Sequence, residues 1–202
     1  MTTLEACEPY FTYIRKYMSC LDPDTMAMIA ANTNEVTLPA KHTMLWEGNK
    51  SDMIYFVVSG TARSYSTDSS GKTTTWAFHF NNKASINRNL LALDYRAFLT
   101  DRPSSVTIET LSELKALTIS KTQQTFLIEN SPVYERWMRK VNEIAYTHMF
   151  ERAFTQLTMP AADRYCKLVK EEPHLLQMFS NYYVASYLGI APQSLSRIRS
   201  QH

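Results

Sequence analysis

Apolar and polar positions change rhythm three times along the chain, and each rhythm implies a different kind of element. From residue 4 to 32 the spacing is helical: Leu4, Tyr10, Phe11, Ile14, Tyr17 and Met18 form one stripe. Asp22-Pro23-Asp24 then opens a second helix with Met26, Ile29 and Ala30 inward. From Glu35 short runs alternate and stop at turn residues. Val36–Leu38 ends at Pro39, Thr43–Trp46 at Glu47-Gly48-Asn49, and Met53–Val58 at Ser59-Gly60. Thr61–Thr67 and Thr73–Phe80 flank Asp68-Ser69-Ser70-Gly71-Lys72, a hairpin signal, and Val106–Leu111 and Leu114–Ile119 flank Ser112-Glu113. Such spacing predicts an antiparallel sandwich or barrel, with a short helix between Ala84 and Thr100 near its rim.

The third rhythm is helical to the end. Ser120–Ile128 is followed by Ser131-Pro132, a capped start for a helix reaching about Leu157. That helix has two apolar lines, one through Val133, Trp137, Ile144 and His148, the other through Tyr134, Met138, Val141, Ala145, Met149 and Ala153. One buried stripe needs only part of a helix circumference. Two lines predict a helix resting on the roll and on a second copy of itself. The expected interface residues are Trp137, Val141, Ile144, Ala145, His148 and Met149. Met159-Pro160 breaks this helix, and Ala161–Lys170 forms another.

Phe179–Gln201 carries the strongest chemical signal. Ser180 caps a short helix with Val184, Tyr187 and Leu188 inward; Gly189 breaks it, and Ala191-Pro192-Gln193 opens the next. The second helix turns Leu195 and Ile198 inward and leaves Gln193, Ser194, Ser196, Arg197 and Arg199 outward. Two short helices around a glycine turn, the second polar and basic, read as a helix-turn-helix. Gln suits adenine, Arg suits guanine, and Ser donates to bases or phosphates. The net charge of +2 is too small to announce a nucleic-acid partner, so the positive charge must be local; residues 193–199 hold two Arg and no acid. No run approaches the roughly 18 apolar residues of a membrane span, and the first residues lack a signal-peptide pattern. Three scattered cysteines (Cys7, Cys20, Cys166) read as thiols of a reducing cytoplasm.

Helix, roll, long helix and helix-turn-helix, in that order, resemble the Crp/Fnr family of bacterial transcription regulators. Leu45-Trp46-Glu47-Gly48 and then Met53–Arg63 (MIYFVVSGTAR) look like the family's sensor signature, and Leu188–Arg199 (LGIAPQSLSRIR) is similar to the DNA-recognition segment of its Bacteroidetes-type members. The implied fold class is α+β: a double-stranded jelly roll of the cyclic-nucleotide-binding kind over 1–130, a dimerisation helix over 131–158, and a DNA-binding helix-turn-helix over 159–202. Carried over by position, Gln193, Ser194 and Arg197 would face the groove, with Ser196 and Arg199 beside them. Ser180, Asn181 and Tyr182 would touch phosphates. Pro192 stands where some relatives carry a base-reading Arg. Double-stranded DNA and a second copy of the chain are the expected partners, with RNA polymerase and a small-molecule effector as further candidates.

Ligand chemistry departs from the family. Nucleotide-binding members use a Glu for the ribose and an Arg for the cyclic phosphate. Here the Glu position falls on or beside Arg88 and the Arg position on Ser104, which argues against cyclic AMP. A pocket, if used, would involve Trp76, Phe78, Arg88, Arg102, Ser104 and Ser105. Three cysteines cannot hold an iron–sulfur cluster, and no cofactor, metal or catalytic group is expected. Two rival readings differ in class: a cupin-type metal enzyme built on His42, Glu47 and His79, and a sensor-only interaction module.

Overall fold

The computed structural model describes residues 2–201, apart from the side chains of Asn87, Arg88 and Gln201. Two helices come first, α1 (Glu8–Arg15) and α2 (Pro23–Ala31). Asp22 accepts from the Thr25 amide at 2.8 Å, with Pro23 in the first turn, which fixes the start of α2. The strands follow: β1 (Asn34–Leu38), β2 (Thr43–Leu45), β3 (Met53–Ser59), β4 (Thr61–Thr67) and β5 (Thr73–Phe80). A rim segment holds α3 (Asn87–Leu90), β6 (Leu91–Ala92) and α4 (Tyr95–Thr100), and β7 (Thr107–Thr110) and β8 (Leu114–Ser120) close the roll.

Two four-stranded antiparallel sheets result, ordered β1-β8-β3-β6 and β2-β7-β4-β5. Val57, Ala62, Val106, Ile108, Leu114 and Ala116 fill the space between them. Glycine is demanded at the β3–β4 corner. Gly60 has φ +88°, and a Cβ there would strike the Glu113 carbonyl and lie 2.7 Å from the Leu114 Cα.

Among the described residues six helices follow the roll: α5 (Lys121–Asn130), α6 (Pro132–Thr158), α7 (Ala161–Glu171), α8 (Pro173–Met178), α9 (Asn181–Tyr187) and α10 (Pro192–Gln201). Ser120 and Gln123 form a capping box on α5, and Ser131 caps α6. The first half of α6 is core. Trp137 is fully buried; its Nε1 donates to the Tyr10 hydroxyl at 3.2 Å, and its ring meets Tyr13 edge-on at 5.2 Å. Val141 is fully buried in the same cluster, with Phe11, Ile14, Ile29 and Phe56.

That placement corrects the expected interface. Trp137 and Val141 face α1 and the roll of their own chain, so no face of either remains for a second copy. Ile144, Ala145 and His148 are half-buried. Beyond them the cover ends: Tyr146, Met149, Phe150, Phe154 and Leu157 are 74, 42, 61, 55 and 86% exposed. At 100° per residue these five, with exposed Ala153, share one stripe.

A second core ties the C-terminal helices to the roll. Phe78 and Phe80 of β5 pack with Tyr165, Leu168, Leu175, Phe179, Val184, Leu188 and Leu195. The Phe78 and Phe179 rings stack at 3.9 Å. Ser186 Oγ accepts from the Thr75 amide at 2.7 Å and donates to the Thr73 carbonyl at 2.9 Å. β5 is an edge strand, and this serine occupies backbone groups that would otherwise be open to pairing.

Candidate nucleic-acid interface and sensor cavity

The sequence between Ser180 and Gln201 folds as its pattern dictates. Ser180 accepts from the Tyr183 amide and starts α9. Gly189, at φ +70°, turns the chain, and the Ile190 amide donates back to the Ala185 carbonyl at 3.0 Å. Val184, Ala185, Leu188 and Leu195 are buried between α9, α10 and β5, with Ile190 and Ile198 packed against them. Gln193, Ser196, Arg197 and Arg199 are exposed, and Ser194 is half-buried. Gln193 and Arg197 are one turn apart on α10.

Asn181 and Tyr182 lie exposed at the start of α9. Arg199 donates to Asn181 Oδ1 at 2.8 Å, so two residues assigned by sequence to separate contacts form one pair.

The expected ligand residues split into two places. Trp76 and Phe78 line a cavity between β5, the rim segment, α6 and the C-terminal helices. Arg102, Ser104 and Ser105 do not line it, and the Arg88 side chain lies outside the described residues. The two serines serve Asp94, the N-cap of α4. Asp94 accepts from the Ala97 amide at 3.0 Å, from the Ser105 amide at 2.9 Å, and from both serine hydroxyls at 3.1 Å. Burial alone raises the Asp94 pKa, but these donors outweigh it and hold the carboxyl below its ordinary value. The donors around Ser104 thus already hold an anion belonging to the chain. Sequence reasoning missed Asp94; the available signal was Asp just ahead of a short helical pattern.

Two arginines clasp the helix-turn-helix to the roll. Arg63, 6% exposed, pairs with Glu109 at 2.9 Å and lies 4.1 Å from the rings of both Tyr65 and Tyr183. Arg152 of α6 lies 3.9 Å from the Tyr187 ring and 5.4 Å from Trp76, and it donates to the Thr75 and Tyr187 carbonyls. Neither arginine was singled out by the sequence, because cation–π pairing between distant elements has no local pattern.

The candidate metal set is not assembled. His42 and Glu47 are exposed, whereas His79 is buried with Nε2 2.7 Å from Ser64 Oγ. Among the described residues no three His, Cys, Asp or Glu side chains are grouped as metal ligands. Cys7 is buried, which pushes its thiol up to about 11 and leaves it inert near neutrality. Among the described residues no helix is long and apolar enough to cross a membrane.

Comparison with known proteins agrees with this architecture. Residues 35–131 match the family model of the cyclic nucleotide-binding domain. No curated protein matches the sequence significantly. Among solved structures, FixK2 from Bradyrhizobium japonicum is 16% identical, with a TM-score of 0.69 over 84% of this chain and 83% of that one. The c-di-GMP-responsive global regulator CLP of Xanthomonas campestris is 14% identical, with a TM-score of 0.66 over 89% and 91%. A candidate transcriptional regulator of the Crp/Fnr family from Eubacterium rectale is 14% identical, with a TM-score of 0.64 over 90% and 83%. Residues 35–131 are thus similar to the cyclic nucleotide-binding domain, and the chain shares the fold of these three solved structures.

Proposed function

We propose that this chain is a homodimeric, sequence-specific DNA-binding transcriptional regulator, acting in the cytoplasm, whose roll is not a cyclic-nucleotide receptor. The observation that carries the reading is α10: exposed Gln193 and Arg197 on one face of a helix whose other face is anchored by Leu195. In a dimer, two such helices enter successive major grooves about one turn of DNA apart. The apolar stripe from Tyr146 to Leu157 supports pairing through the second half of α6. RNA polymerase is a further partner under this reading.

Selection of DNA fragments bound by the purified protein tests it first, followed by paired titration against preferred and scrambled duplexes at fixed salt. Arg197→Ala should cost roughly 1–3 kcal/mol on the preferred site and relax one position per half-site. Asn181→Ala should weaken binding to both duplexes alike, since backbone contacts carry no direct sequence information. An Arg197→Ala protein with an unchanged preference ratio would show that α10 is not the reader.

A further inference from the structure

We infer that Arg199 is the phosphate anchor of the helix-turn-helix, and that Asn181 is a positioning residue that aims its guanidinium at the DNA backbone. The inference rests on the DNA-binding reading above and gives the two residues separate parts in it. Residues 179–201 hold two Lys or Arg side chains, Arg197 and Arg199, and no Asp or Glu. Neutralising phosphates releases condensed counterions, so a backbone contact draws its strength from charge. In this unit that charge comes from two side chains.

The two arginines stand in different places. Arg197 lies one turn beyond Gln193 and shares its face of α10. Arg199 follows two residues later, about 160° round the helix axis from Arg197. It therefore leaves the face that enters the groove and turns to the side of α9. There its NH1 donates to Asn181 Oδ1 at 2.8 Å, tying the end of α10 to the start of α9.

Both residues are exposed. The bond uses one of the five guanidinium donors. Among the described residues Arg199 makes no ion pair and no other hydrogen bond. Its charge and most of its fork are thus open to a ligand. The neutral amide of Asn181 holds the guanidinium without cancelling that charge, as a carboxylate at the same place would. A planar fork matches phosphate oxygens in pairs. A free arginine loses much rotamer freedom when it docks, and a bond formed beforehand removes part of that cost.

The test titrates the full chain and its variants against preferred and scrambled duplexes over a range of salt. Arg199→Gln should weaken binding to both duplexes by the same factor and lower the salt slope by about one per half-site. Arg199→Lys, which keeps the charge, should keep the slope. Asn181→Ala should weaken binding several-fold in the unmodified background and have no further effect beside Arg199→Gln. All these variants should keep the Tm of the unmodified chain, since the pair is exposed. An unchanged slope in Arg199→Gln, with DNA still bound by the unmodified chain, overturns the anchor and leaves the DNA-binding reading standing. Equal weakening by Asn181→Ala with and without Arg199 overturns the positioning role. Failure of the unmodified chain to bind any duplex overturns the reading itself, and the anchor with it.

Discussion

Exchanging Trp137 and exchanging Phe150 should have opposite consequences, although both are aromatic residues of one helix. Trp137 is fully buried, donates to Tyr10 at 3.2 Å and touches Tyr13 edge-on. Trp137→Ala removes a whole core side chain, which typically costs about 3–5 kcal/mol. For a domain of this size each kcal/mol lowers Tm by about 2–4 °C, so a fall of roughly 6–20 °C is expected. Trp137→Phe keeps a ring but removes one of the two hydrogen-bond partners of the Tyr10 hydroxyl, the other being Tyr134, at a cost of about 1 kcal/mol. Phe150, 61% exposed, contributes nothing comparable to the monomer. Burying a whole Phe contributes about 1.5–3 kcal/mol; taking the exposed share twice in a symmetric seam gives about 2–4 kcal/mol of dimer affinity. Phe150→Ser should therefore raise the dimer dissociation constant roughly 30- to 700-fold, with a shift in monomer stability of only about 0.5 kcal/mol. Thermal melts and sedimentation equilibrium read the two quantities separately. If Trp137→Phe weakened the dimer and left Tm unchanged, the division of α6 into a core half and an interface half would be wrong.

Gly60→Ala should destabilise the roll by at least about 1–3 kcal/mol, since it adds strain at positive φ to a backbone collision with Glu113; Gly71→Ala, with open space around the Cβ, should cost less, and urea titration of the pair checks this. Because the Asp94 carboxyl is held below its ordinary value in the folded chain, its contribution is complete above the unfolded pKa of about 4 and is lost as pH falls towards the lower folded value. The acid limb of stability should thus flatten in Asp94→Asn, and an unchanged limb in denaturation from pH 6 to 2.5 would exclude the assignment. Cyclic AMP and cyclic GMP should show no low-micromolar binding by calorimetry, since Ser104 lacks a charge and its hydroxyl already faces the Asp94 carboxylate.

The roll was legible because its strands alternate and stop at strong turn residues, and the helix-turn-helix because its buried and exposed positions differ in chemistry within one turn. β6 escaped detection: Leu91–Ala92 is two residues long, too short to show any period. Thr73–Phe80 is legible as a strand, and Phe78 and Phe80 on it pack against the C-terminal helices. Period reveals that a strand has two faces and is silent on what covers each one. The same limit applied to α6, where two apolar lines are visible but α1 covers only the first half. Ser104 and Ser105 were placed by resemblance as ligand contacts, while the partner that engages them, Asp94, lies ten positions upstream.

The docked position of α9 has an energetic consequence for any switching. Phe78 and Phe80 are 1% and 0% exposed, and most of that cover comes from residues after the long helix. Baring both rings costs about 3–6 kcal/mol at about 1.5–3 kcal/mol each, before the two arginine clasps and the Ser186 hydrogen bonds are counted. An equilibrium biased by that amount leaves well under one molecule in a hundred undocked. A ligand moves such an equilibrium only by the difference in its affinity for the two states. A molecule that fills the cavity touches Leu175 and Tyr187 of the docked helices and so favours the docked form. One that draws Arg152 away from the Tyr187 carbonyl acts on the contact that distinguishes the states.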